Sequence, residues 1–163
     1  MKTLLILRHA KSNWDDPNLP DHDRPLTDRG KRDAVRIGLL LRERNLVPDL
    51  IVSSTAKRAR KTASKVAKTC GCAEEIQTTG RLYQACWSQF IEVLREVDDS
   101  CSTVLVVAHN PGLEELVQHL TGKRETMPTA ALAEVSLDID RWQNLAVPPG
   151  GRLVQVWRPK QIE

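Results

Sequence analysis

Thr3-Leu4-Leu5-Ile6-Leu7-Arg8-His9-Ala10-Lys11-Ser12 decides how the chain is read. The unbroken apolar run from Leu4 to Leu7 suits a strand buried on both faces. It stops abruptly at a guanidinium and an imidazole, groups that resist burial unless something pairs with them. Either the strand emerges into solvent, or its end forms the floor of a site for something negatively charged.

Two other apolar runs end in the same way. Leu50-Ile51-Val52 is short and β-branched and is followed by Ser53-Ser54-Thr55-Ala56-Lys57-Arg58. Thr103-Val104-Leu105-Val106-Val107 is the clearest strand of the chain and leads into Ala108-His109-Asn110-Pro111-Gly112. Helical patterns separate them. Thr27 is placed to cap a helix carrying Ala34, Val35, Ile37, Leu40 and Leu41, which ends near Asn45. A second helix spans about Ala56 to Thr69, with the hydroxyls of Ser53, Ser54 and Thr55 as caps and Gly71 closing it. Ser88 opens a third, striped by Phe90, Ile91, Leu94 and Val97, and Leu113 to Leu120 is a fourth.

Ile76 to Thr79 reads as a further strand, and the Asp-, Asn- and Pro-rich stretch from Asn13 to Arg24 as a loop. Ala131 to Ile139 and Arg152 to Trp157 read as late strands joined antiparallel across Pro148-Pro149-Gly150-Gly151. Strands alternating with helices predict one α/β domain over residues 1–163, with a largely parallel central sheet in a three-layer arrangement, helices covering both faces. In such sheets ligands bind beyond the carboxyl ends of the strands. Those are the ends that carry Arg8-His9, Ser53 to Arg58 and His109-Asn110.

Composition narrows the function. The 163 residues carry a net charge of only +3, and the six aromatics lie outside any basic cluster, which argues against a nucleic-acid partner. The four cysteines, Cys70, Cys72, Cys86 and Cys101, show no zinc-like spacing and read as reduced thiols. No apolar stretch approaches the ~18 residues of a membrane span, and the run before Arg8 is too short for a signal peptide. The expectation is a cytoplasmic protein with no membrane partner, no metal and no cofactor.

If the three strand ends meet, the site holds two imidazoles and at least two guanidiniums with no obvious carboxylate among them. Guanidinium matches the oxygens of a phosphate with paired hydrogen bonds and stays charged. Nearby positive charge disfavours imidazolium, so such a histidine is neutral, with a lone pair free to attack phosphorus.

Four segments in order carry a resemblance to a known family. They are Leu7-Arg8-His9-Ala10; Arg24-Pro25-Leu26-Thr27-Asp28-Arg29-Gly30; Val52 to Thr62; and Val107-Ala108-His109-Asn110-Pro111. Together they resemble the histidine phosphatase superfamily, which includes the phosphoglycerate mutase-like enzymes. The short chain and the Arg-His-Ala variant look most like the bacterial SixA-type phosphohistidine phosphatases. The resemblance implies that His9 is the nucleophile, that Arg8 and Arg58 (rather than Arg60) hold phosphate, and that His109 stabilises the transferring group. Arg24 at the rim, Asn110 through its backbone N–H, and Ser12 are further substrate-binding candidates.

One departure bears on substrate. Many members of that family carry a glutamate between the second arginine and the second histidine, where it protonates the leaving oxygen. Ile76 to Ile91 contains no Asp or Glu. An alkoxide needs such an acid, whereas imidazole, with a conjugate acid near ~6.5, leaves more readily. The expected activity is hydrolysis of phosphohistidine on a protein. A phosphomonoesterase or mutase acting on a small phosphorylated metabolite, or a catalytically silent phosphate-binding module, are the alternatives.

Overall fold

The computed structural model describes residues 1–146 and 150–162. Its six strands are β1 (Lys2–Arg8), β2 (Leu50–Ser54), β3 (Gln77–Thr79), β4 (Thr103–Ala108), β5 (Leu132–Leu137) and β6 (Gly151–Trp157). Four α-helices accompany them: α1 (Asp28–Glu43), α2 (Lys57–Cys70), α3 (Trp87–Arg95) and α4 (Gly112–Thr121). The sheet order is β3-β2-β4-β1-β5-β6. β1 to β4 run parallel to one another, and β5 and β6 are added antiparallel at one edge. Pro148 and Pro149, expected in the turn between the last two strands, lie outside the described residues.

Alternation within β1 explains its unbroken apolar run. Leu5 and Leu7 face α1 and α2, packing with Ile37, Leu41, Ala63 and Val66. Leu4 and Ile6 face α3 and α4, packing with Phe90, Leu94, Leu113 and Leu116. Both faces of the strand are therefore dry, which gives the three layers that the sequence predicts.

Helix starts follow local chemistry, with one exception. Thr27 caps α1, its side chain accepting the Gly30 N–H at 3.0 Å, a contact of about 1 kcal/mol in such positions. The same turn lies against the chain just after β1: Thr27 N–H donates to Lys11 O at 2.9 Å. A Cβ on Gly30 would sit 2.2 Å from that same Lys11 oxygen, so only glycine allows the approach. The exception is α2. Its N-cap is Ala56, with no side-chain cap, so the expected Ser53–Thr55 hydroxyl caps are not formed. The Ser54 hydroxyl instead accepts the Ala56 N–H at 3.2 Å and turns to a histidine described below.

Candidate active site

β1, β2 and β4 are neighbours, so their carboxyl ends deliver side chains to one place. A cavity of about 380 Å³ there is lined by Arg8, His9, Lys11, Ser12, Trp14, Arg58, His109, Asn110 and Thr129. No carboxylate is among these lining residues. A larger cleft of about 690 Å³ is lined by Asp49, Glu74, Glu96 and Asp98 near the starts of β2 and β4. Its acidic wall suits an anion poorly, so chemistry rather than size selects the smaller cavity.

His9 and His109 are both buried, with ring centroids 5.1 Å apart. His9 Nδ1–H donates to the carbonyl of Ala10 at 2.8 Å. A carbonyl can only accept, so Nε2 is the nitrogen that keeps the free lone pair. Ala10 is fixed in turn, because its N–H donates to Thr62 Oγ1 at 3.0 Å and the Thr62 hydroxyl donates to Arg58 O at 2.7 Å. One threonine on α2 thus ties the backbone beside His9 to that beside Arg58. Burial, reinforced by Arg58 and Arg8 against the pull of the Ala10 contact, lowers the His9 pKa to about 4. His109 falls to about 3, through burial first and then His9 and Arg58. Both rings are neutral at physiological pH.

His109 Nε2 lies 2.8 Å from the Ser54 hydroxyl, and its Nδ1 is buried with no hydrogen-bond partner. Arg8 is held by donation from Nη1 to Met127 O at 3.1 Å, leaving its Nε unpartnered. Burial lowers the Arg8 pKa, with Glu114 opposing and Arg58 assisting. Met127 O also accepts from Asn110 Nδ2 at 2.8 Å, and Met127 N–H donates to Glu114 Oε2 at 2.9 Å. Ala130, in the left-handed region at φ 62°, donates its N–H to both Arg8 O and His9 O. Residues 127–130 are therefore a brace behind Arg8, His9 and Asn110. A backbone carbonyl has no sequence signature, and nothing before the fold pointed to this brace.

Of the candidates read from sequence, Arg8, His9, Arg58, His109, Asn110 and Ser12 come together around the cavity. Arg60, set aside in favour of Arg58, instead donates from Nε to Thr55 O on the exposed side of α2. Arg24 does not line the cavity. Its guanidinium lies 4.1 Å from the centre of the Trp14 ring, and the ring itself forms the wall.

Two residues were missed. Asp21 accepts from Arg58 twice, through its backbone carbonyl at 2.7 Å and its carboxylate at 3.1 Å. Tyr83 donates its hydroxyl to the same carboxylate oxygen at 2.6 Å and meets His109 edge to face. The expectation of no carboxylate at the site is thereby corrected: one stands directly behind Arg58. Burial works against its ionisation, but the Tyr83 hydroxyl and Arg58 outweigh that and hold Asp21 below the usual carboxylate range. Asp21 is an anion at neutral pH and has no proton to give.

Among the described residues, no group of three His, Cys, Asp or Glu side chains is placed to hold a metal ion. No described helix is long and apolar enough to cross a membrane. All four cysteines are free thiols.

Known proteins resemble this chain in sequence or in fold. An uncharacterised chloroplastic protein of Arabidopsis thaliana is 32% identical over 164 residues, covering 93% of this chain and 75% of the relative. A solved structure described as a proposed phosphohistidine phosphatase SixA from Nakamurella multipartitia superposes with a TM-score of 0.85 at 28% identity, covering 97% of this chain and 96% of the other. A second proposed SixA, from Agrobacterium tumefaciens, gives 0.83 at 27% identity over 97% and 98%. The family model of the histidine phosphatase superfamily (branch 1) matches residues 4–97, and the chain belongs to that superfamily.

Proposed function

We propose that the protein hydrolyses phosphohistidine on a protein substrate through a phosphorylated His9. The observation that carries this reading is the state of the carboxylates. None lines the cavity, and Asp21, behind Arg58, is held ionised by Tyr83 and Arg58. A cavity with no carboxylic acid among its lining residues favours a leaving group that needs no such acid, and an imidazole ring already protonated on its other nitrogen is such a group. The likeness to two solved structures described as proposed SixA phosphohistidine phosphatases supports this reading.

His9 Nε2 attacks phosphorus while Arg8 and Arg58 bind the phosphoryl oxygens, and neutral His109 donates a ring N–H to them. The P–N bond of the substrate, whose ring carries a proton on its other nitrogen, breaks, and its electron pair stays on the departing nitrogen, so the ring leaves as neutral imidazole. Water then attacks phospho-His9. The Nε2–P bond breaks, the lone pair returns to Nε2, and dihydrogen phosphate leaves. Positioning and charge carry both steps, as phosphoryl transfer generally requires.

The test is a substrate panel on wild type and His9→Ala. A phosphohistidine-bearing protein domain is turned over in preference to sugar phosphates and phosphoserine peptides, and acid-labile phosphate appears on His9. Retained turnover in His9→Ala overturns the mechanism; preference for a sugar phosphate overturns the substrate class.

A further inference from the structure

An in-line attack fixes where the leaving group must be. His9 is only 6% exposed and forms the floor of the cavity, so the departing group lies on the opposite side of phosphorus, toward solvent. Two exposed side chains line that mouth, Lys11 and Trp14. Lys11 brings a charge on a flexible stem. Trp14 brings a flat aromatic face, and 59% of the residue is open to solvent.

Large exposed aromatics are usually loose, and this one is not. Its indole Nε1–H donates to the hydroxyl of buried Ser12 at 3.0 Å. One face is covered by the Arg24 guanidinium at 4.1 Å, a cation–π contact. Arg24 is itself 8% exposed, with its Nε unpartnered and Nη1 donating to Asp16 O at 3.1 Å. A cation has been buried without a carboxylate partner among the described residues, and its guanidinium rests on this ring. Ser12 and Arg24 thus share one role: both hold Trp14 in a single orientation with its other face open.

We propose that Trp14 is a specificity-determining residue whose open face receives the imidazole ring of the leaving group. This rests on the phosphohistidine reading above and adds what selects the ring. Stacking between flat rings is sequence-tolerant and requires no proton transfer. It also favours the ring when its second nitrogen is protonated, because a cation is attracted to the indole face. In that form the P–N bond breaks with its electron pair passing to the ring nitrogen, and the ring leaves as neutral imidazole while His9 Nε2 takes the phosphoryl group. Trp14 would then select a ring that leaves without help from an acid.

Two small phosphoramidates separate the ring from the P–N bond: phosphoimidazole, which has it, and phosphoramidate itself, which does not. The readout is the ratio of kcat/KM for the first to that for the second. In Trp14→Ala the ratio falls about three- to tenfold, the range of an aromatic pair. Trp14→Phe recovers most of it, and Ser12→Ala, which frees the indole edge, lowers it by less. A folded Trp14→Ala with an unchanged ratio overturns the proposal while leaving phosphohistidine hydrolysis intact. A wild-type protein that turns over neither compound but cleaves phosphate esters overturns both.

Discussion

Asp21 binds Arg58 from both its backbone and its side chain, at 2.7 Å and 3.1 Å. Two of the five guanidinium N–H groups are thereby fixed in direction, and the remaining donors are available to an anion. The same contact places a negative charge beside one of the two arginines that would hold phosphate. Asp21→Asn keeps an oxygen for Arg58 and removes that charge. Inorganic phosphate, as a competitive inhibitor, should then bind about two- to fivefold tighter, a modest gain because the pair is partly exposed to solvent. Weaker inhibition would show that orienting Arg58 outweighs the charge.

Ser54 is fully buried, and its hydroxyl is the partner of His109 Nε2. Ser54→Ala leaves the ring without that hold. The expected result is a kcat lower by about tenfold with KM changed much less, because the loss falls on alignment in the transition state. Steady-state kinetics on a phosphohistidine substrate reads this split directly.

Acid should unfold the protein through its two site histidines. Their folded pKa values, about 4 for His9 and about 3 for His109, lie below the ordinary 6.5. Between 6.5 and those values the unfolded chain binds protons that the folded chain refuses. The stability they contribute is present above about pH 6.5 and is lost as pH falls, by up to about 1.4 kcal/mol per pH unit for each ring. Urea midpoints at pH 7.5 and 4.5 should therefore differ less in His109→Asn than in wild type. Equal differences would mean that His109 is not held neutral.

Thr62 links Ala10 N–H to Arg58 O from inside α2. Thr62→Val preserves shape but strands a buried amide, which should cost about 1–3 kcal/mol. Thr62→Ser should restore most of it. Turnover should fall in the valine variant beyond what its folded fraction explains, because Ala10 O is what orients His9.

The parts of the site that were legible in sequence are those with a local cause. A run buried on both faces must be continuous in apolar residues, so β1, β2 and β4 and the residues at their ends could be read directly. Thr27 is read as a cap because capping is decided within three residues. Asp21 and Tyr83 could not be found this way. Asp21 opens a short 3-10 turn (Asp21–Asp23) in an Asp-rich stretch, and its contacts reach 37 residues to Arg58 and 62 to Tyr83. Ser54 misled for the same reason: its hydroxyl has a local use at a helix start and a distant one at His109, and the distant partner takes it as well. Trp14 gave no sign of being wedged between Ser12 and Arg24, because an exposed tryptophan and a buried arginine each run against the usual pattern.

The position of β1 within the sheet orders events during synthesis. Its neighbours are β4, which begins at Thr103, and β5, which ends at Leu137. A nascent chain that has released His9 from the ribosome has almost none of the surroundings that make it reactive. Arg58 arrives later, His109 later still, and the brace at Met127 and Ala130 after that. Pairing over such separations closes long loops before it gains contacts, and is correspondingly slow. The histidine thus remains an ordinary imidazole, with its ordinary affinity for protons, until most of the protein exists.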